Sequence, residues 1–356
     1  MTTKNTTIGT LTASPNCEDR GVNANILVVG GAGYIGSHMT KRLTLAGYTP
    51  IVLDDLSQGR AEAVGGAKLV VGNVGDVQVL DALFASGSIA AVMHFASFIQ
   101  VGESVTLPGK YYENNVSNTV RLLDAMVRHG VRNFIFSSTA AIFGDPQYVP
   151  IDEGHPKNPI NPYGRSKWMV EQILEDFERA HALKSICLRY FNAAGADAEG
   201  ELGECHEPET HLIPLILQAA AGRRPAISVF GRDYDTADGT CVRDYVHVQD
   251  LCDAHLLALE RLLSGGSGGR YNLGNGNGYS VAEVIAAAEQ VTGRKIAQID
   301  GPRREGDPPR LVADSRLAQQ ELGWAPRLAA LETIIQHAWQ WELSHFKSAS
   351  TVAPTV

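Results

Sequence analysis

The sequence predicts an α/β fold: a doubly wound parallel sheet followed by a smaller C-terminal α/β lobe. Three observations carry this. Short apolar, β-rich runs alternate with helically spaced stretches from residue 26 onward, glycines cluster directly after the first of those runs, and beyond residue 190 the rhythm gives way to longer polar segments. Strands alternating with helices imply βαβ crossovers and a parallel sheet covered on both faces. Such a sheet takes its ligands at the carboxyl ends of its strands.

Taken in order, the first strand is expected at 26–29, followed by a helix over 34–46 with Ile35, Met39 and Leu43 on one face. Further strands follow at 50–53, 68–71, 91–95, 133–137 and 185–189, with helices over 115–129 and 164–182 among the connections. The later part contains a Gly- and Glu-rich acidic segment at 195–211, a polar Gly/Asp stretch at 231–240 and the turn sequence SGGSGG at 264–269. Helical patterns recur at 211–221, 248–263, 281–292 and 315–322. The expected organisation is a tail over 1–25, a first domain over 26–191, and a second lobe over 192–345, of which about 240–285 returns to the first domain; 346–356 forms a second tail. Residues 1–25 are polar and lack the apolar stretch of a signal peptide.

Composition narrows the function. The 356 residues carry a formal net charge of −9, which suits no protein that grips a nucleic-acid backbone by general charge. The longest apolar runs, near 89–99 and 212–221, are interrupted by His94 or Pro214 and fall short of the ~20 residues of a membrane span. Cysteines 17, 187, 205, 241 and 252 are scattered without a CxxC pair, arguing against a disulfide framework or a structural zinc site and for a reducing cytoplasm. No metal is expected.

Directly after the first strand stands Gly30-Gly31-Ala32-Gly33-Tyr34-Ile35-Gly36. Gly30 permits the tight turn, Gly33 lets the main chain approach a pyrophosphate, and Gly36 allows close packing of helix on strand, as in a Rossmann dinucleotide site. The helix beginning there points free N–H groups and its positive dipole end at the phosphates. Asp54 ends the second strand, where a carboxylate accepts the hydroxyls of an adenosine ribose and repels a 2′-phosphate. The expected cofactor is therefore NAD rather than NADP.

Tyr163-Gly164-Arg165-Ser166-Lys167 places a phenol and an ammonium four residues apart at a helix start, on one face. A phenol with pKa near ~10 is a poor base at neutral pH, and a neighbouring ammonium favours the phenolate. Lys167 is thus expected to depress the Tyr163 pKa and to reach a nicotinamide ribose. Asn161-Pro162 fixes the entry into that helix. The strand before it ends Phe136-Ser137-Ser138-Thr139, which brings hydroxyls to the same sheet edge. Hydroxyl, phenol and ammonium together form a proton-transfer set for interconverting an alcohol and a ketone.

With these residues in hand, the chain resembles the extended short-chain dehydrogenase/reductase family, in its NAD-dependent epimerase/dehydratase branch, from residue 26 to about 340. Besides GGAGYIGS and YGRSK, the similar stretches are HFAS (94–97), VGESV (101–105), NNV (114–116), FSSTA (136–140), LRYFNAAGA (188–196), VFGRDY (229–234), DGTCVRDYVHV (238–248), YNLGNG (271–276) and RREGD (303–307). The resemblance implies that Tyr163 is the acid/base, Lys167 its electrostatic partner and Thr139 the hydroxyl on the sugar oxygen. It puts Gly30, Gly33, Tyr34, Ile35, Gly36, Asp54, Asn73, Val74, Phe95, Ala96, Asn114, Ser137, Tyr163, Lys167 and Tyr190 at cofactor positions. Asn192, His211, Leu212, Ser228, Phe230, Arg243, Arg304, Asp307 and Leu311 fall at substrate positions. Four places depart from the family pattern: Thr139 for Ser, Asn73-Val74 for Asp-Ile, Ile99 for Lys and His211 for Asn.

The implied activity is reversible inversion at C4 of UDP-glucose and UDP-galactose through a 4-keto sugar, with transient hydride transfer to tightly bound NAD. The implied assembly is a homodimer, built on helices near 101–130 and 164–182. Three alternatives stay open. A nucleotide-sugar 4,6-dehydratase shares the fold but needs a carboxylate near Thr139, where Ala140 and Ala141 stand. A non-catalytic NAD sensor would have no use for the Tyr163–Lys167–Thr139 set. Leu311, at a position lining the sugar pocket in the family, leaves N-acetylated UDP-hexoses admissible.

Overall fold

The computed structural model describes residues 23–304 and 307–346. Its first half contains β1 (Asn25–Val29), α1 (Tyr34–Leu45), β2 (Thr49–Asp54), β3 (Lys68–Val71), α2 (Val77–Ser86), β4 (Ile89–His94), α3 (Val101–Thr106), α4 (Pro108–Tyr112), α5 (Asn118–Arg128), β5 (Asn133–Thr139), α6 (Pro162–His181) and β6 (Lys184–Tyr190). Then follow β7 (Asn192–Ala194), α7 (Leu212–Ala220), β8 (Ile227–Phe230), β9 (Val242–Arg243), β10 (Tyr245–His247), α8 (Val248–Leu263), β11 (Gly269–Leu273), β12 (Tyr279–Ser280), α9 (Val281–Thr292), β13 (Gln298–Gly301), β14 (Arg310–Leu311), α10 (Arg316–Leu322) and α11 (Leu331–His345).

Seven parallel strands form the central sheet in the order β3-β2-β1-β4-β5-β6-β11. Alternation along each strand builds two cores. Ile26, Val28, Val52, Met93, Ile135 and Leu188 face a layer containing Met39 and Leu43 of α1 and Leu251 and Leu259 of α8. Leu27, Val29, Leu53, Val92, Phe134 and Phe136 face the opposite layer, with Leu80, Leu122, Val170 and Leu174. A sheet buried on both faces explains why its strands read as nearly continuous apolar runs. The strand order reverses between β1 and β4, which opens a crevice at their carboxyl ends.

Helix starts follow capping chemistry. Asp76 accepts from Gln78 N and Val79 N at the head of α2, Ser280 and Glu283 form a capping box on α9, and Asn161 Oδ1 accepts from Gly164 N (2.8 Å) with Pro162 in the first turn of α6. A third core, under α7, α9 and α11, organises the second lobe around Ile216, Val229, Val284, Ile334 and Ile335. Helix α11 is absent from the helices expected above, although its buried residues fall at helical spacing.

Two boundaries differ from expectation and matter for function. Strand β5 runs on to Thr139, placing that hydroxyl in the last strand position. The helix expected from 115 begins as a π-helical turn over Glu113–Ser117 before α5. Asn115 causes this: it is buried, its amide bonds both Phe98 N and Phe98 O (each 3.0 Å), and it donates to Ser166 Oγ (3.1 Å). Such turns are rare within α-helices and frequent at functional sites. The expected tails lie outside the described residues except at their inner ends. There Asn25 opens β1 and Phe346 lies under the Arg223 guanidinium, 3.8 Å from its ring centroid.

Candidate active site

Gly30 closes β1 with φ +80°, a conformation that disfavours any side chain, and an added Cβ would strike the Ala96 backbone. A Cβ on Gly36 would strike Gly30 O, so helix α1 packs against the turn only because residue 36 is glycine. Gly33 differs: a Cβ there would meet nothing nearer than Gly30 O at 3.5 Å, which leaves its main chain approachable from the crevice. The first-turn N–H groups of α1 have no intrahelical partners. This cradle fits a pyrophosphate. At the end of β2, Asp54 accepts from Ala32 N and Leu56 N (both 2.9 Å) through separate oxygens, which ties the carboxylate to the glycine loop and leaves further lone pairs for hydroxyl donors. Burial pushes its pKa up, against the lowering by those two N–H groups.

The remaining cofactor residues spread along the same edge. Phe95 and Ala96 continue from β4, both donating to Val29 O. Ile35 packs against the core beside α8, and the Tyr34 side chain turns to the second lobe, donating to Gly195 O (2.7 Å). Asn73 is engaged with Asp55 and Gly75 N, Asn114 donates to Asn115, and the Val74 side chain is buried in the core. Any contact Val74 makes with an adenine is therefore through its backbone. Ser137 Oγ and Tyr190 hydroxyl bond each other across β5 and β6.

Helix α6 brings Tyr163 and Lys167 to the ends of β5 and β6. The Thr139 side chain lies close enough to the Tyr163 phenol to lower its pKa, and Lys167 Nζ donates to Ser137 O (2.8 Å). Lys167 is buried, and desolvation pushes its ammonium down to about 7. Burial also raises the Tyr163 phenol, opposed by the nearby Thr139 hydroxyl. The expectation of a phenol depressed by the neighbouring ammonium is not met in this geometry. Desolvation dominates both groups, and Lys167 is turned to the Ser137 carbonyl.

Below this trio lies a network that sequence reasoning missed. Glu171, one turn beyond Lys167, accepts from Ser138 Oγ (2.5 Å) and forms a forked pair with Arg189 (Nη2–Oε2 2.6 Å). All three side chains are buried. The i, i+4, i+8 spacing of Tyr163, Lys167 and Glu171 signals a shared face; the strand partners give no local signal.

The second lobe supplies a separate group. Arg243 and Leu311 are register partners in β9 and β14, and Arg243 is closed onto Asp307 (Nη2–Oδ1 2.5 Å) while donating to Pro308 O. The Arg304 guanidinium stacks 4.0 Å from the Phe230 ring centroid. Asn192 donates to Asp244 O. Leu311 packs with Ala140, Ile142 and Phe143, immediately after Thr139. Ser228 is exposed on β8 and Leu212 packs in the lobe core, apart from this group. His211 is taken up by Glu209 (2.8 Å) and neighbours Glu204 and His206. That convergence also escaped a reading fixed on cysteine spacing; its signal is the pattern Glu204, His206, Glu209, His211.

Fold and site define a Rossmann-type protein whose dinucleotide cradle adjoins a tyrosine–lysine–hydroxyl set. The model of the NAD dependent epimerase/dehydratase family matches residues 26–274. The chain is 50% identical to the UDP-glucose 4-epimerase of Halalkalibacterium halodurans, over 92% of this chain and 98% of that one. It is 52% identical to the Rhizobium meliloti UDP-glucose 4-epimerase, over 90% and 97%. The crystal structure of UDP-glucose 4-epimerase from Brucella ovis in complex with NAD superposes with TM-score 0.87 at 49% identity, covering 89% of this chain and 97% of that one. The chain belongs to the NAD dependent epimerase/dehydratase family.

Proposed function

We propose that this protein interconverts UDP-glucose and UDP-galactose by reversible epimerisation at C4, with NAD as its cofactor. One observation carries the reading: Tyr163, Lys167 and Thr139 meet at the sheet edge beside the glycine cradle, in a chain about half identical to UDP-glucose 4-epimerases over nine-tenths of its length. NAD in this cradle supplies the reversible hydride acceptor that a carbinol needs to pass through a ketone.

The chain's own residues do the rest. Gly33 and the first turn of α1 hold the pyrophosphate, and Asp54 holds the adenosine ribose. Lys167, which donates to Ser137 O in this structure, would hold the second ribose. Thr139 bonds the sugar 4-oxygen, and Tyr163, in the phenolate form that the positive charge of an oxidised nicotinamide and the Lys167 ammonium would favour against burial, takes its proton and returns it after the sugar has turned over. Inversion requires a grip on the nucleotide rather than on the hexose ring. Arg243 and Arg304 provide planar donors for diphosphate oxygens once Arg243 exchanges Asp307 for substrate, and Phe230 offers a face for the base. The substrate lobe is taken to begin near 192, with part of 240–285 belonging to the first domain, as β11 pairing with β6 supports.

A homodimer is part of the proposal. Val101, Val105 and Leu107 are exposed beside α6, whose Met169 is also exposed, and these helices pack together. A cytoplasmic setting is supported by the four cysteines among the described residues, Cys187, Cys205, Cys241 and Cys252, all free and three of them buried. No described helix is long and apolar enough to cross a membrane. The test is incubation of the purified protein with UDP-glucose or UDP-galactose without added cofactor. Each should yield the other; no conversion, with or without NAD, would defeat the assignment. Deuterium uptake from solvent at C5 would point instead to elimination.

A further inference from the structure

Four side chains outside the proton-transfer set converge within one short stretch. Glu204, His206, Glu209 and His211 each direct one donor atom, a carboxylate oxygen or an imidazole nitrogen, into a common space, and the four atoms lie within 4.8 Å of one another. His206 Nδ1 is 2.5 Å from Glu204 Oε1, while His211 Nδ1 is 2.8 Å from Glu209 Oε1 and 3.8 Å from Glu204 Oε2. The two carboxylate side chains are only 8% and 6% exposed. Buried carboxylates need a compensating cation. Among the described residues no Lys or Arg pairs with either; backbone N–H groups of Cys205 and His206 donate to Glu204, those of Thr210 and His211 donate to Glu209, and the only basic side chains facing them are the two histidines. His206 Nδ1 is buried and lies close to Glu204 without the geometry of a regular hydrogen bond.

A neighbouring cluster provides the contrast. Asp197, Glu199 and Glu201 also converge, but Lys41 Nζ sits among them at 2.9, 2.6 and 2.9 Å. That acidic group has its cation built in. The 204–211 group offers nitrogen donors in place of one.

We propose that Glu204, His206, Glu209 and His211 form a binding site for a divalent transition-metal ion of the Zn²⁺ class. Two neutral imidazoles and two carboxylates neutralise a dication. Tetrahedral Zn²⁺ with bonds of about 2.0–2.2 Å sets donors about 3.4 Å apart, and the distances above lie on both sides of that spacing. The imidazoles disfavour Mg²⁺ and Ca²⁺, which take oxygen donors. With four protein ligands the site is closed, so its role is structural. It fixes the 204–211 segment that leads into α7 and packs on Trp341 of α11, whose indole donates to Glu204 O (3.0 Å). Tyr34 of the glycine loop lines the same small cavity as Glu204, His211 and Trp341, so the ion braces the second lobe where it meets the nucleotide loop.

The test uses the untagged full chain, stripped with a chelator and titrated with Zn²⁺, and in parallel with Co²⁺ followed by visible absorption. Elemental analysis should give one Zn²⁺ per chain, Co²⁺ should show the intense visible bands of a tetrahedral site, and reloading should raise Tm. His206→Ala and the conservative Glu204→Gln should each weaken binding by at least the roughly 10–100-fold that loss of a mere outer-shell partner costs. Far-ultraviolet circular dichroism checks that both variants fold. Zn²⁺ binding unchanged in both variants, or no stoichiometric ion at micromolar metal, would overturn the site. Neither readout involves turnover, so failure here is distinct from failure of the epimerase reading.

Discussion

At the scale of single residues, the chemistry narrows to one proton. Among the described residues only Tyr163 combines a titratable oxygen, proximity to the Thr139 hydroxyl and a place on the same helix face as Lys167. Tyr163→Phe should lower kcat by roughly 10²–10⁴-fold, the usual worth of general acid–base catalysis, while bound NAD and UDP affinity stay near the parent values. Single-turnover spectroscopy and UDP titration check this; unchanged turnover would remove Tyr163 from the mechanism. Leu311 permits a second, independent prediction. It packs on Ala140, Ile142 and Phe143 just past Thr139, so Leu311→Gly should open space beside the sugar and raise kcat/KM for N-acetylated UDP-hexoses relative to UDP-glucose. An unaltered ratio would show that another wall sets the limit. These residues were legible because their chemistry admits few substitutes. What they bond in the folded chain was not: the closure of Arg243 onto Asp307 and the turning of Lys167 to Ser137 O depend on segments distant in sequence.

At the scale of elements, the site is a matter of how α6 is fastened to the sheet. Glu171 does this from below, through Ser138 of β5 and Arg189 of β6, and Ser166 does it from the side through Asn115. Breaking a buried pair leaves the surviving charge uncompensated, so Glu171→Gln should cost roughly 3–5 kcal/mol of unfolding free energy. Urea titration measures it, and a cost within error of zero would mean Arg189 finds other partners. Strands and long helices were readable from period alone, because burial on both faces or on one stripe writes itself into the sequence. The π turn at Glu113–Ser117 was not readable. Helical spacing continues through it, and only the tertiary bonds of Asn115 to Phe98 and Ser166 explain the extra residue.

At the scale of the whole molecule, the layers enclose histidines held neutral. Burial pushes His94 down to about 3, with the Lys167 charge adding to the effect; His247 also falls to about 3, through burial and the neighbouring His337; His255 falls to about 4 through burial against the lift from Leu251 O. In the unfolded chain each would titrate near ~6.5. Above that value both states leave the rings neutral and these three groups cost the fold nothing. As pH falls from about 6.5 toward 4 the unfolded chain takes up protons that the folded one refuses, so stability drops, by roughly 1.4 kcal/mol per pH unit for each fully unmatched proton. In the metal-free chain His206 and His211 act oppositely. Against the lowering by burial, Glu204 and Glu209 hold them above the ordinary value, so their contribution is present at low pH and lost as pH rises through their folded values. His38, His337 and His345 are lowered by burial as well, so depressed histidines outnumber the raised ones and the histidine contribution to the slope below neutrality should be positive with pH. Urea unfolding across that window should show it, and His255→Met should flatten the slope by about one proton. A slope indifferent to that substitution would mean the ring already finds a proton in the fold. The layered burial that makes a sheet edge dry enough for proton exchange with a sugar hydroxyl would then not be as tight as the packing of α8 on β4 and β6 implies.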